Sequence, residues 1–366
     1  MPNPPRWPLR VGIAGYGFAG RVFHAPLINA TPGLELAAIC SSRRADVLAD
    51  WPHLNVVATP EALFALSDLD MVVIATPNRT HAPLAIAAMR AGLHVVVDKP
   101  FTLDVAQARA VTTVAQAHER VLSVFQNRRW DSDFMGVRQS IRAGLVGRVT
   151  EFESRMDRFR PQVRTRWRET DAPGSGLWFD LGPHMADQAL QLFGLPDTVQ
   201  ASLTRQRDDA SGNDWAQVLL TYGPLRVSLH CSLLAAWPGP RLVVHGTAGS
   251  LLKHHADQQE TQLRAGLHPG APGWGEDPDD IMMFDGTGAS RALPTPPGDY
   301  RIYYALLRDA IMGRGVNPVP PIQALALMAV LETAVASSDA GRSLALPLTT
   351  AERQQWMQTW TGPVEK

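Results

Sequence analysis

Leu9-Arg10-Val11-Gly12-Ile13-Ala14-Gly15-Tyr16-Gly17-Phe18-Ala19-Gly20 is the stretch from which the rest of the chain can be read. An apolar run of strand length passes directly into a G-x-G-x-x-G, and a helical stretch follows from Arg21. In such a turn the first glycine permits the tight bend. The second lets backbone approach a pyrophosphate, and the third lets helix and strand pack closely. The helix start then faces the anion. A G-x-G-x-x-G alone is also a plain glycine-rich turn. Here it follows the first strand and heads a strand-helix series, which favours a dinucleotide cradle formed by Gly15, Tyr16, Gly17, Phe18, Ala19 and Gly20.

Working outward, apolar runs recur at Leu36–Cys40, Met71–Ala75, His94–Val97 and Val121–Phe125, separated by helix-length segments. MVVIA and HVVV are apolar throughout, as expected of strands covered by helices on both faces. Residues 1–125 are therefore expected to form a doubly wound α/β domain with a parallel sheet. Over 126–366 the pattern changes: Asp214–Tyr222 and Arg226–Ser232 alternate around Gly223-Pro224 like a hairpin, and Leu177–Phe193, Tyr300–Met312 and Ile322–Ser338 have helical periodicity. This predicts an α+β domain with a large, mostly antiparallel open sheet. Gly266–Gly298, rich in Pro, Gly and Asp, reads as a loop or strand-poor excursion.

A chain of 366 residues that is 45% hydrophobic and 19% charged has enough apolar surface for two cores and argues against long disorder. The net charge of -1 provides no field to gather nucleic acid or anionic membrane, so a small-molecule partner is expected. Cys40 and Cys231 lie far apart and form no metal-binding pair, which fits a reduced, cytoplasmic setting. His81 and His254-His255 lack a ligand set, so no metal is expected. The N-terminus shows no signal-like apolar region, and no later stretch reads as the roughly 20 apolar residues that span a bilayer.

The second strand ends without the acidic residue that an NAD-preferring site places about 20 positions after the motif. Ser41, Ser42, Arg43 and Arg44 stand there instead, hydroxyls and guanidinium groups that suit a 2′-phosphate. NADP is the expected cofactor, with NAD as the alternative. The same residues also read as a helix cap at Ser41 followed by a solvated basic face. Only Lys99, Lys253 and Lys366 are lysines, and Lys99 falls at the carboxyl end of a buried strand, where open α/β sheets bind ligands. It could bind a substrate oxygen or simply pair with Asp98. Thr76-Pro77-Asn78 ends the fourth strand and either touches the cofactor or caps the next helix; His81, Asp98 and Asn127 are further candidate cofactor contacts. Asp180 and His184, four apart, share a face if helical, and read equally well as an acid-imidazole pair or as a cap and a core histidine. Asn127-Arg128-Arg129-Trp130 follows the last parallel strand. Five arginines crowd around Trp167 between Arg158 and Arg168; Arg166 and Trp167 are either cofactor contacts or part of a solvated basic face.

The combination GYGFAG, TPNRTH, DKP and DLGPHMAD resembles the Gfo/Idh/MocA family of NAD(P)-dependent oxidoreductases over nearly the whole chain. GRVFHAPLI, LSVFQNRRWDSDF, DRFRPQVRTRWRE and PGSGLWFDLGPH are similar to its scyllo-inositol 2-dehydrogenase branch. The resemblance implies that Lys99 is the catalytic lysine of an (E/D)KP motif, with Asp98 where many relatives have Glu. It implies that Asp180 and His184 are the family's aspartate and catalytic histidine. His184 would then remove a hydroxyl proton while Lys99 binds the oxygen and Asp180 orients the pair, with Asn127 and Arg128 as further contacts to a polyol or sugar. It also implies a homodimer or homotetramer assembled through the open sheet. A keto-sugar or other carbonyl reductase and a non-catalytic NADP sensor are the competing readings.

Overall fold

The computed structural model describes residues 7–164 and 169–362. The chain divides into two compact units. The first comprises Met1–Asn127, Gln259–Trp274 and Asp299–Leu325; the second comprises Arg128–Gln258, Gly275–Gly298 and Ala326–Lys366. The later segments that return to the first unit were not anticipated by a contiguous division at 125/126.

The first unit is built on a six-stranded sheet of β1 (Leu9–Ala14), β2 (Leu34–Cys40), β3 (Asn55–Val57), β4 (Met71–Ile74), β5 (His94–Val97) and β6 (Leu122–Val124), in the order β3-β2-β1-β4-β5-β6. Every pairing is parallel. The side chains of Met71, Val72, Val73 and Ile74 are all fully buried, which explains why β4 reads as a continuous apolar run. The helix Val105–Ala117 starts where the Asp104 carboxylate accepts the Gln107 amide at 2.7 Å, and Thr59 caps Pro60–Phe64 in the same way. The strand order reverses between β1 and β4, so the turn after β1 emerges at the switch point of the sheet, at the edge where such sheets bind ligands.

The second unit holds an eight-stranded mixed sheet: β7 (Val149–Arg155), β8 (Thr198–Thr204), β9 (Trp215–Tyr222), β10 (Leu225–Ser232), β11 (Leu242–Gly246), β12 (Gly249–Lys253), β13 (Ile281–Phe284) and β14 (Ser290–Leu293). Its order is β14-β13-β12-β11-β7-β10-β9-β8; β10 runs parallel to β7 and every other neighbour is antiparallel. The expected hairpin is β9 and β10, turning through Gly223 at φ 55°. The strand-poor reading of Gly266–Gly298 is corrected, because β13 and β14 lie within it and form the sheet edge. Of their residues only Ile281 is buried, so neither leaves the alternating imprint of a half-buried strand. The bilayer reading also needs correction on length and composition. Pro321–Ala340 is long and apolar enough to cross a membrane, but it is mostly buried inside the protein, as a core helix is.

Within the second unit the long helix Gly176–Phe193 is fixed by buried charge. Arg129 grips Asp187 through Nε at 2.8 Å and Nη2 at 2.6 Å. Gln188 donates to the Arg128 carbonyl at 2.9 Å and accepts from Arg241, which also donates to Ser154 and pairs with Asp133. Breaking one member of such a pair leaves an uncompensated charge in a low-dielectric interior. Asp187→Ala is therefore expected to destabilise the protein by about 3–5 kcal/mol in equilibrium denaturation, and Asp187→Asn by less.

Two buried histidines make the first unit sensitive to acid. His94 Nδ1 accepts the Val121 amide at 2.9 Å, and burial, then Arg120, holds its pKa at about 4. Burial holds His24 at about 4 as well. In the unfolded chain both titrate near 6.5, so the unfolded state binds more protons between those values and stability rises with pH. Unfolding free energies should fall as pH drops from about 6.5 toward 4, by about 1–2 kcal/mol per histidine at pH 5; a flat profile over that window would contradict the neutral, buried assignment.

Candidate functional site

The glycine turn carries the three roles in measurable form. Gly15 has φ +100°, and a Cβ there would stand 2.6 Å from the Ala75 carbonyl oxygen. A Cβ on Gly20 would stand 2.3 Å from the Gly15 carbonyl oxygen, so strand and helix approach as closely as glycine alone permits. At Gly17 an added Cβ would meet nothing within 4 Å. Its bareness serves no internal contact, which fits a surface for a pyrophosphate to approach. The chain then enters a π-helical turn, Gly20–His24, that runs into the helix Ala25–Asn29. Phe18 is 54% exposed at the tip of the turn and meets Phe23 edge-on at 5.8 Å. The Tyr16 side chain turns inward: its hydroxyl donates to Asp50 at 2.8 Å and accepts from Trp51 at 3.0 Å, and burial, then Asp50, raises its pKa. Only the backbone of Tyr16 remains for a ligand.

Beyond β2, Arg43 reaches back and donates to the Tyr16 carbonyl, with Asp46 3.5 Å away on its other side. Its own amide donates to the Ser41 hydroxyl at 3.0 Å. Ser41 is therefore not the cap of the next helix, whose N-cap is Arg43 with no side-chain bond. Ser42 is exposed, and Arg44 donates to the Val56 carbonyl at 2.7 Å. Serine hydroxyls and a guanidinium thus stand beside the glycine turn, with no carboxylate at the end of β2.

After β4 the Thr76 hydroxyl accepts from Thr80 at 2.7 Å, Pro77 is exposed, and Asn78 is buried at the start of a short 3-10 turn. His81 places one ring nitrogen 2.9 Å from the Thr76 carbonyl and the other 2.9 Å from that of Pro100, tying the ends of β4 and β5 together. Burial lowers its pKa, opposed by Asp98 and then by the surrounding carbonyls. Asp98 is buried and accepts the Lys99 backbone amide at 2.8 Å; Lys99 itself is half-buried. Asn127 is buried where the strand-following turn begins. Before it lies Gln126, which sequence reasoning passed over: it is 2% exposed, and neither end of its side-chain amide has a hydrogen-bond partner. Buried orphans of this kind are costly and mark a site that expects a ligand or water. The chemistry of the first unit therefore fits a dinucleotide.

In the second unit the segment carrying Asp180 and His184 is helical, Gly176–Phe193, so the two lie one turn apart on one face. The cap is Ser175, which removes the capping role considered for Asp180. Gly176 at φ +86° brings Asn213 against the helix start, where Asn213 accepts the amides of Leu177 through its carbonyl at 2.8 Å and of Trp178 through Oδ1 at 2.9 Å. Asp180 lies 3.7 Å from Arg158 and shares a small pocket with Arg158, Arg160 and Asn213. His184 is 5% exposed. Arg128 sits 3.2 Å from Asp131. Arg166 and Trp167 lie outside the described residues. The segment before them is pinned by Arg207, another residue that sequence reasoning missed: buried, it donates to the carbonyls of Arg160 and Gln162, to Glu169 and to Asp214. Only the turn-forming Gly212-Asn213-Asp214 hinted at it. Among the described residues no group of three or more His, Cys, Asp or Glu side chains could hold a metal ion.

Comparison with known proteins agrees with this chemistry. Residues 9–126 match the model of an oxidoreductase family with an NAD-binding Rossmann fold, and residues 138–346 match that family's C-terminal alpha/beta domain. The chain is 48% identical to the uncharacterized oxidoreductase YdgJ of Escherichia coli over 92% of this chain and 99% of that one. It is 32% identical to the scyllo-inositol 2-dehydrogenase (NADP(+)) IolW of Bacillus subtilis over 92% and 96%. A crystal structure of an oxidoreductase from Klebsiella pneumoniae superposes with a TM-score of 0.91 at 51% identity, covering 96% of this chain and 99% of that one.

The second and third glycines of the motif should separate in experiment. Gly17→Val is expected to leave the melting temperature near that of the unaltered protein while weakening NAD(P)+ binding by at least about tenfold, or about 1.4 kcal/mol. Gly20→Ala must displace backbone and should lower the melting temperature whether or not nucleotide is present.

Proposed function

This chain belongs to the Gfo/Idh/MocA oxidoreductase family and is an NAD(P)-binding oxidoreductase; from that premise we propose that it interconverts a hydroxyl and a carbonyl on a polyol or sugar, using NADP in preference to NAD, with scyllo-inositol as the leading substrate. The observation that carries the chemistry is the helix Gly176–Phe193, which presents an acid and an imidazole one turn apart in a chain that also builds a dinucleotide turn. The choice of scyllo-inositol and NADP is supported by the activity that names the relative IolW and, independently, by Ser41 and Arg43 at the end of β2.

On this reading the first unit binds the cofactor and the second the substrate. Gly15, Gly17 and Gly20 offer backbone to the pyrophosphate, Phe18 covers it, and Ser41, Ser42, Arg43 and Arg44 take the 2′-phosphate. Thr76, Pro77, Asn78 and Asn127 line the cofactor's path, with His81 fixing the Thr76 loop. The bound nicotinamide supplies the two-electron acceptor or donor for the carbinol carbon. Lys99 donates to the substrate oxygen and stabilises its negative charge as the proton leaves. His184 takes that proton, Asp180 orients the imidazole, and Arg128 contributes to holding the polyol. A non-catalytic NADP sensor would have no use for Lys99, Asp180 and His184 together. The exposed side chains of Phe159, Leu234 and Trp237 support association into a homodimer or homotetramer, and the buried free thiols of Cys40 and Cys231 suit a reducing cytoplasm.

Initial rates with NADP+ and NAD+, each against scyllo-inositol, myo-inositol and a panel of aldoses, test the reading directly. NADP+ reduction by scyllo-inositol is expected; activity with NAD+ alone would overturn the cofactor assignment, and rates only with carbonyl substrates and NADPH would favour the reductase. Arg43→Ala should weaken NADP+ by about 10–100-fold and leave NAD+ nearly unchanged. Lys99→Ala should lower kcat by at least about 100-fold while cofactor binding persists.

A further inference from the structure

His24 is a buried histidine to which the mechanism above gives no task. It is the last residue of the π-helical turn that begins at Gly20, and it is completely buried. The Phe125 ring packs against it at 4.4 Å between centroids. Its Nδ1 lies 2.6 Å from the Tyr304 hydroxyl. Its Nε2 has no hydrogen-bond partner and lies 3.9 Å from Oδ1 of Asp98, the same oxygen that accepts the Lys99 amide at 2.8 Å. Two side chains, His24 and Asp98, thus stand between Tyr304 and Lys99, and the gap between these two is beyond hydrogen-bond reach.

One direction for the first bond is favoured by the carboxylate of Asp98, which faces Nε2 and so favours the imidazole proton there, leaving Nδ1 to accept. The groups that face His24 are Asp98 from the end of β5, His81 from the helix His81–Arg90, Phe125 after β6, and Tyr304 with its neighbour Tyr303 from the helix Arg301–Ile311. Burial, then Tyr303 and Asp98, raises the Tyr304 phenol well above its ordinary value, so its proton stays and the hydroxyl can donate. Burial holds His24 down to about 4 against the pull of Asp98, so the imidazole is neutral and carries a single proton. A ring that accepts at Nδ1 must carry that proton on Nε2.

We propose that His24 and Tyr304 are positioning residues for Lys99: the Tyr304 hydroxyl donates to His24 Nδ1, the imidazole proton is thereby fixed on Nε2, and that N–H, aimed at the Asp98 carboxylate from 3.9 Å, attracts electrostatically the group on which the Lys99 backbone rests. The proposal rests on the reading of Lys99 as the group that binds the substrate oxygen. Its consequence is that the turn emerging from the last cofactor glycine and the lysine that meets the substrate share one buried support. Asp98 acts at the backbone of Lys99 and His24 one contact further back, so neither needs to touch substrate.

The full-length protein labelled with 15N-histidine gives a readout independent of turnover. Two-bond proton-nitrogen correlation spectra should show one neutral histidine, assigned to His24 by its loss in His24→Gln, as the Nε2–H tautomer between about pH 6 and 8. Tyr304→Phe keeps the ring and removes the donor. It should shift His24 toward the Nδ1–H form and lower kcat by about 10-fold or more, with the NADP+ Kd within about twofold. An Nδ1–H tautomer in the unaltered protein would overturn the proposal, as would an unchanged kcat in Tyr304→Phe despite a tautomer shift. Loss of fold or of NADP+ binding in Tyr304→Phe would assign the pair a purely structural role and overturn it too. Lys99→Ala measured alongside separates the two layers. If Lys99→Ala is inactive and Tyr304→Phe fully active, only the positioning role fails; if Lys99→Ala turns over normally, the reading of Lys99 fails first and this proposal with it.

Discussion

Where a Cβ on Gly20 would sit, the carbonyl oxygen of Gly15 is 2.3 Å away. That one approach lets the chain leave the central strand and begin a helix within a single tight turn, so the helix start and the bare backbone at Gly17 face the carboxyl edge of the sheet. Everything assigned to the cofactor depends on it. Arg43 reaches the Tyr16 carbonyl because β2 ends beside this turn, and His24 reaches its buried neighbours because the π-helical turn starts at Gly20 itself. A larger residue at position 20 would move all of these together.

The second unit rests on charges taken out of water in pairs. Arg129 with Asp187, Arg241 with Asp133, Arg207 with Asp214 and Glu169, and Lys253 with Asp277 and Asp279 are all pairs with buried members. Burying such pairs gains little net stability over apolar packing, but each fixes a direction as well as a distance. The helix that carries Asp180 and His184 is gripped through Asp187 and Gln188, one turn beyond His184, and seated at its start by Asn213. The segment that carries Arg158 and Arg160 is held through the carbonyls that accept from Arg207. Asp180 and His184, proposed above for chemistry, are thereby set on a frame whose own polar groups are already committed.

Local signals made much of this legible in the sequence. The strand at Leu9–Ala14 and its glycines were readable because the task of each glycine is local, and the buried runs at β4 and β5 because a strand covered on both faces needs no alternation. The spacing of Asp180 and His184 was legible, and the helix, with its cap at Ser175, removes the capping alternative for Asp180. β3 left little trace, since three residues, one of them buried, carry no periodicity. β13 and β14 were hidden by their exposure at a sheet edge. The partners of Arg207, the orphaned amide of Gln126 and the contact of His24 with Tyr304 depend on residues brought together only by folding, and no spacing rule encodes them.

The first unit is also discontinuous. Tyr303 donates to Ser123, the Ser123 hydroxyl donates to the Val319 carbonyl, and Asn317 donates to the Leu122 carbonyl, so β6 is walled by residues made much later in synthesis. A ribosome that has released Met1–Asn127 has delivered every strand of the parallel sheet but not the segment that closes it, which arrives only with Asp299–Leu325. The nascent sheet must therefore wait, with β6 and the pocket around His24 uncovered, while the whole second sheet is translated. A gene fragment cut at the apparent domain boundary would encode the same unfinished object.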